Sequence, residues 1–244
     1  MDTPSTPSQP HILKTKHTCS VCDIRRLLLD ASNDENLPPT LACEIKCRGP
    51  FLPGDPIYKS GDPLTTIYAV TSGCIKTETI NYEGYIQATG FYLRGEVFGY
   101  EALGENQHAY DAYAIDRTWL CELPMTALNS ICLQNPRSLS RLFKLISQHN
   151  RAHLSLTSVC GRTADQRIFD FLCNLSERLQ RQKCAVLNEL SLPMTKEDIA
   201  NYLGITPETI SRSLRRLDKA GLITYKGKMF SIVADAREVM NDSG

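Results

Sequence analysis

The chain has 244 residues, 42% of them hydrophobic, and its 27 Lys plus Arg balance 27 Asp plus Glu. Such a length supplies cores for two ordinary domains, while zero net charge excludes a generally basic nucleic-acid coat; from Arg162 onward 13 basic residues stand against 11 acidic ones, so only local charge can meet a polyanion. No stretch approaches the ~20 apolar residues of a membrane span, and the Pro/Ser/Thr-rich beginning lacks a secretory apolar region, so a cytoplasmic chain without a membrane partner is expected.

Residues 1–16 have no periodicity and read as a disordered arm. DIRRLLLDA, from Asp23 to about Ala31, is compatible with a short helix that Pro38 and Pro39 break. From Phe51 to Leu123 short runs are punctuated by Gly54, Gly61, Gly73, Gly84, Gly95 and Gly99, at roughly the spacing of an all-β barrel or roll. β-Branched and aromatic residues within Tyr68–Thr79 and Tyr85–Leu93 support strands there.

After Pro124 the period becomes helical, and Pro136 to Cys160 carries no Gly and no further Pro. A heptad count puts Leu139, Leu142, Ile146, His149, His153, Leu156 and Cys160 on one seam. A helix of about 25 residues is some 37 Å long, too long to be covered by one small domain, so pairing with its copy in a homodimer is expected. Packing against the roll of its own domain is the alternative, and His149 and His153 are expected at the wet edge of the seam. Arg162 to Arg181 reads as another amphipathic helix, with Ile168, Phe171, Leu172, Leu175 and Leu179 on its apolar side.

The string PMTKEDIANYLGITPETISRSLRRLDKAGLI then parses into two helices joined by a tight turn. Thr195 is an N-cap with Asp198 three residues on, Ile199, Ala200 and Leu203 form the apolar face, and Gly204 supplies the positive φ that ends the helix. Thr206 caps the second helix, with Pro207 where a missing amide costs nothing. Ile210, Leu214 and Leu217 point inward, so Glu208, Thr209, Ser211, Arg212 and Arg215 project from the other side, near the end a recognition helix inserts into the major groove. Arg212 suits guanine O6 and N7, Glu208 a cytosine amino group, and Ser211 a base or phosphate. Thr206, Thr209, Arg215 and Arg216 suit phosphates. LITYKGKMFSIV alternates around Lys226-Gly227-Lys228 as a hairpin wing whose two lysines can approach the DNA backbone.

At these residues the chain resembles the CRP/FNR superfamily of bacterial regulators, and ETISR at Glu208–Arg212 is similar to its FNR branch. YAVTSGCIKT, TGFYLRGEVFG, WLCELP and ADQRIFDFL extend the resemblance over about Cys19 to Val233. It implies an α+β chain: a β-roll sensory domain with an N-terminal cysteine segment (17–134), a dimerisation helix (135–161) and a winged helix-turn-helix (162–244). It also implies a palindromic site on double-stranded DNA resembling TTGAT-N4-ATCAA, and a hairpin tip around Asn81–Tyr85 that meets RNA polymerase.

A cyclic-nucleotide receptor of this kind holds the phosphate with an Arg-Ser pair; after Gly95-Glu96 this chain has neither in ALGENQHAYDAYAI, so cAMP is not expected. The FNR branch instead implies a [4Fe-4S] cluster on C-x2-C-x5-C plus a fourth cysteine in the roll. Cys19, Cys22 and Cys121 match, but Leu28 stands at the third position and cannot bind iron. Asp23, Asp30, Cys43 or Cys47 could complete the set. The alternatives are ten reduced, mostly buried thiols in a constitutive regulator, or a Cys19–Cys22 or related thiol switch. A cupin-like enzyme is the remote alternative; it would want a His/Glu metal set in the roll, where His108 is the lone histidine and no nucleophile–base pair is evident, so no enzyme is expected.

Overall fold

The structure, a computed structural model, describes residues 11–13, 45–81, 83–134, 136–157, 162–181 and 190–233, with the backbone alone for 11–13, 149, 152–157, 181 and 190. Up to Pro124 the described residues form strands β1 (His11–Leu13), β2 (Lys46–Phe51), β3 (Pro56–Tyr58), β4 (Thr66–Ser72), β5 (Cys74–Ile80), β6 (Ile86–Leu93), β7 (Val97–Phe98), β8 (Asp111–Ala114) and β9 (Thr118–Pro124). Helices α1 (Met125–Gln134), α2 (Pro136–Thr157) and α3 (Ala164–Arg181) follow, then β10 (Leu190–Ser191), α4 (Lys196–Leu203), α5 (Pro207–Lys219), β11 (Ile223–Lys226) and β12 (Met229–Ile232).

A five-stranded sheet, in the order β1-β2-β9-β4-β7, faces a four-stranded one, β3-β8-β5-β6, and together they make the roll. Alternation along single strands feeds separate cores. Tyr68 and Val70 of β4 and Leu120 of β9 enter the roll with Phe51, Tyr58, Ile75 and Phe98. Their neighbours Ile67, Ala69, Cys121 and Leu123 point the other way, beneath Ala127, Leu128, Ile131 and Leu142 of α1 and α2. The outer side of the second sheet, through Ala88, Phe91 and Leu93, packs on Phe171, Tyr202, Ile210 and Phe230 of the C-terminal domain. Between Arg48 and Phe51 the pairing of β2 with β9 slips. The slip lays Gly49 against Trp119, the chain's single tryptophan, so closely that a Cβ would lie 2.7 Å from the indole.

Two expectations change. His11–Leu13, inside the arm read as disordered, pairs as β1 with β2, because an extended Ile-Leu segment can complete the open edge of the sheet. The heptad seam is not one continuous free face: Leu142 is 5% exposed and packs, with Leu145 and Ile146, on the roll of its own protomer. Leu139 stays 41% exposed and Phe143, outside the seam, 62%. The cause is the short α1, which folds the first half of α2 back over β9, so the roll covers the residues that a heptad count assigns to a partner helix. His149, His153 and Leu156 lie on α2 with side chains outside the described set, and Cys160 and the Asp23–Ala31 helix lie outside the described residues.

The C-terminal domain is tied to the roll by polar contacts as well as by packing. Arg178 of α3 donates to both carboxylate oxygens of Glu96, at 2.8 and 2.5 Å, and to the carbonyl of Phe91. Burial alone would lower the Arg178 pKa; Glu96 more than offsets it and keeps the guanidinium charged. Asn201 of α4 behaves like an added strand residue, donating to the Ile86 carbonyl at 2.6 Å and accepting from the Ala88 amide at 2.5 Å. Lys76 of β5 reaches Asp198 at 3.0 Å and Glu78 at 2.9 Å.

Candidate nucleic-acid interface

The two helices of the turn start on side-chain caps. Thr195 Oγ1 accepts from the Asp198 amide while the Asp198 carboxylate accepts from the Thr195 amide, 3.1 Å each, which satisfies two orphan donors reciprocally. Gly204, at φ +62°, ends α4 in the left-handed region that a Cβ disfavours. Thr206 Oγ1 accepts from the Thr209 amide at 3.2 Å, with Pro207 as the first residue of α5.

The faces of α5 separate as its periodicity predicts. Ile210, Leu214 and Leu217 are buried, and so is Ser213. Glu208, Arg212 and Arg215 are exposed, while Thr209 and Ser211 are half-buried at the edge of the same face. Thr206 is exposed beside Thr209, their hydroxyls 3.0 Å apart. β11 and β12 form the wing, joined by a two-residue turn at Gly227-Lys228, and Lys226 and Lys228 are both exposed. Arg216 departs from the phosphate role expected of it. Its guanidinium makes a two-pronged pair with Asp165 of α3 at 2.7 and 2.6 Å and also donates to Ser213; this arginine holds Asp165 below the usual carboxylate range.

Sequence reading missed Lys196. It donates to Ser211 Oγ at 3.3 Å and lies over the Tyr225 ring, with Nζ 5.7 Å from the centroid, so it joins α4, α5 and the wing on one basic face. Its position one residue after the Thr195 cap was the available signal. Burial raises the Asp198 pKa, but hydrogen bonds from Lys76 and Thr195 bring it below its ordinary value, so the cap that positions Lys196 stays ionised.

Of the cysteines matched to a cluster, Cys19 and Cys22 lie outside the described residues. Cys121 is 6% exposed on β9, with Thr71 Oγ1 3.4 Å from its sulfur. A row runs across the sheet through Leu13, Cys47, Cys121, Ala69 and Val97, each the register partner of the next. Cys47, half-buried, faces the same cluster beneath α1 and α2. Among the described residues no group of three His, Cys, Asp or Glu side chains converges as a metal site, and no described helix is long and apolar enough to cross a membrane.

Residues 166–238 match the Crp-like helix-turn-helix domain, and residues 48–135 match the cyclic nucleotide-binding domain. The chain is 34% identical, over 88% of its length and 86% of the relative's, to the fumarate and nitrate reduction regulatory protein of Escherichia coli strain K12. The chain belongs to the CRP/FNR family. This CRP/FNR regulator is also 34% identical to electron transport regulator A of Shewanella oneidensis, over 91% of its own length and 88% of that protein's. Among solved structures it resembles FixK2 from Bradyrhizobium japonicum, with a TM-score of 0.69 and 27% identity over 78% of this chain and 93% of the other. A CRP/FNR-family transcriptional regulator from Thermus thermophilus, at 23% identity and a TM-score of 0.57 over 81% and 97%, shares the fold. The α+β class and the helix-turn-helix therefore agree with the expectation, and this chain is a DNA-binding transcription regulator, not an enzyme.

Proposed function

We propose that this regulator binds a two-fold symmetric duplex site as a homodimer and that its cysteines make that binding responsive to redox state. The observation that carries the reading is the capped start of α5, which leaves Glu208, Ser211 and Arg212 on an outer face. In a major groove Arg212 donates to guanine O6 and N7 and Glu208 accepts from a cytosine amino group. Lys196, already hydrogen-bonded to Ser211, keeps that hydroxyl oriented. Thr206, Thr209, Arg215, Lys226 and Lys228 hold phosphates and fix register.

Two copies of α5 read half-sites one helical turn, ~34 Å, apart. The second copy covers the apolar ridge that the roll leaves open, at Leu139 and Phe143, and α2 runs on through His149, His153 and Leu156 into the same contact. Exposed Ile80 and Tyr85, at the tip of the β5–β6 hairpin, support an RNA polymerase contact there.

The chemistry of the donors fits an iron–sulfur cluster. Cys121 sits on the sheet whose edge carries β1, and β1 ends six residues before Cys19. Strand spacing puts Leu13 about 10 Å from Cys121. Cys19, Cys22 and Cys121 would hold the iron, and Cys47 is the thiol best matched to the open fourth place, because it is the direct strand partner of Cys121. Such a cluster, when bound, supplies one-electron and oxygen-sensitive chemistry. A cyclic nucleotide fits poorly: the rings of Tyr58, Tyr68, Tyr92 and Phe98 pack together inside the roll, and Gly99–Ala114 offers no Arg or Lys to a phosphate.

The test is fluorescence anisotropy on TTGAT-N4-ATCAA and on a scrambled duplex, together with iron and sulfide analysis and a visible spectrum of anaerobically purified protein. Tight binding to the palindrome alone, with iron present and binding lost in air, is the expected result. Equal affinity for both duplexes ends the base-reading role, and iron-free protein indifferent to air ends the cluster.

A further inference from the structure

We propose that Cys47 and Cys121 form a reversible cross-strand disulfide site, open to low-molecular-weight disulfide oxidants of the glutathione class. The two cysteines are direct partners on antiparallel strands β2 and β9. Directly opposed residues of such a pair have Cα atoms about 4.5–5.5 Å apart, within the ~4.4–6.8 Å span that a disulfide bridges. Opposed side chains leave the sheet on one face, and both thiols do face the cluster beneath α1 and α2. On the far side of Cys121 the row continues with Ala69, a single methyl that leaves the sulfur room to turn toward Cys47. Neither thiol is in a disulfide in the structure.

Unequal exposure assigns the order of events. Cys47 is half-buried and meets the reagent, whereas Cys121 is covered and lies behind it. The Cys47 thiolate attacks one sulfur of oxidised glutathione, forming a mixed disulfide and expelling one glutathione thiolate. Cys121, hydrogen-bonded through its sulfur to Thr71, gives up its proton and attacks Cys47 Sγ, and the second glutathione thiolate leaves. The protein loses two electrons and two protons, and the reagent gains both as two glutathione thiols. Other described thiols are worse placed: Cys74 and Cys173 are buried in the interdomain cluster, and Cys132 sits on α1 without a cysteine as strand partner. Closing the pair occupies both sulfurs that the cluster reading assigns to iron, Cys47 and Cys121, yet iron plays no part in its formation.

The experiment uses iron-free, full-length protein, reduced and then incubated with oxidised glutathione, alkylated with N-ethylmaleimide and mapped by mass spectrometry. A Cys47–Cys121 cross-link forms first and dithiothreitol reverses it. Cys121→Ser stops at a glutathione adduct on Cys47, and Cys47→Ser leaves Cys121 alkylated. A cross-link from Cys121 to Cys132, Cys19 or Cys22 in its place, or wild-type protein in which both thiols remain alkylatable, overturns the site. The wild-type map decides even where a serine variant folds poorly, and because iron is absent its failure leaves the cluster reading untouched.

Discussion

Arg212, Arg215 and Arg216 lie within five residues on one helix and carry the same charge, yet their neighbours give them different work. Arg212 is exposed toward the groove-facing side, so Arg212→Ala is expected to cost about 1–3 kcal/mol on the cognate duplex and to relax discrimination at one base pair. Lys228→Ala should instead weaken binding to every sequence alike, which anisotropy on a panel of single-substituted duplexes separates. Arg216 is already spent on Asp165. Replacing it with Ala should leave the salt dependence of DNA binding unchanged, whereas Arg215→Ala should flatten the slope of log K against log salt by about 0.9. The difference between the last two arginines was not legible in the sequence, because the partner carboxylate stands 51 positions away on another helix. Glu208, Ser211 and Arg212 were legible, since period and cap together decide which way a residue points.

At the scale of the element, what the sequence reveals depends on how local the deciding interaction is. Both caps rest on residues three positions apart and the wing hairpin on pairs no more than nine apart, so these elements were legible. Thr206→Ala should therefore cost about 1 kcal/mol in urea unfolding, an effect of the cap alone. The long helix was read correctly as a helix but not as a surface, for its period cannot say whether a roll or a second helix will cover a given stripe. Leu142→Ala should lower protomer stability by about 2–5 kcal/mol and leave self-association nearly unchanged. Phe143→Ala should do the reverse, with unfolding scarcely altered and the dimer dissociating at higher concentration in sedimentation. The facing of Cys47 and Cys121 was equally hidden, because strand register across 74 residues leaves no trace in spacing.

In the whole molecule, the polar ties between roll and winged helix set how the reading head is carried. The Lys76–Asp198 pair adds a pH dependence whose sign follows from its two members. Asp198 is held below its ordinary pKa, so its contribution is complete above about pH 4 and is lost as pH falls through the depressed folded value. Burial lowers the Lys76 pKa, but Glu78 and Asp198 raise it overall; its share is complete below about pH 10 and is lost as pH rises past the folded value. Docking should thus be flat between about pH 5 and 9. Hydrogen exchange at the Ala88 amide, which Asn201 covers, reads it directly: protection should drop in acid, and Asn201→Ala should abolish it at neutral pH.

The slip between β2 and β9 has a practical outcome. It rests the one indole of the chain on the Gly49 backbone, two residues along β2 from Cys47 and two along β9 from Cys121. Because sulfur–sulfur bonds quench a nearby indole, this regulator carries a built-in optical gauge of its own sheet, and its emission can be followed in real time without a label.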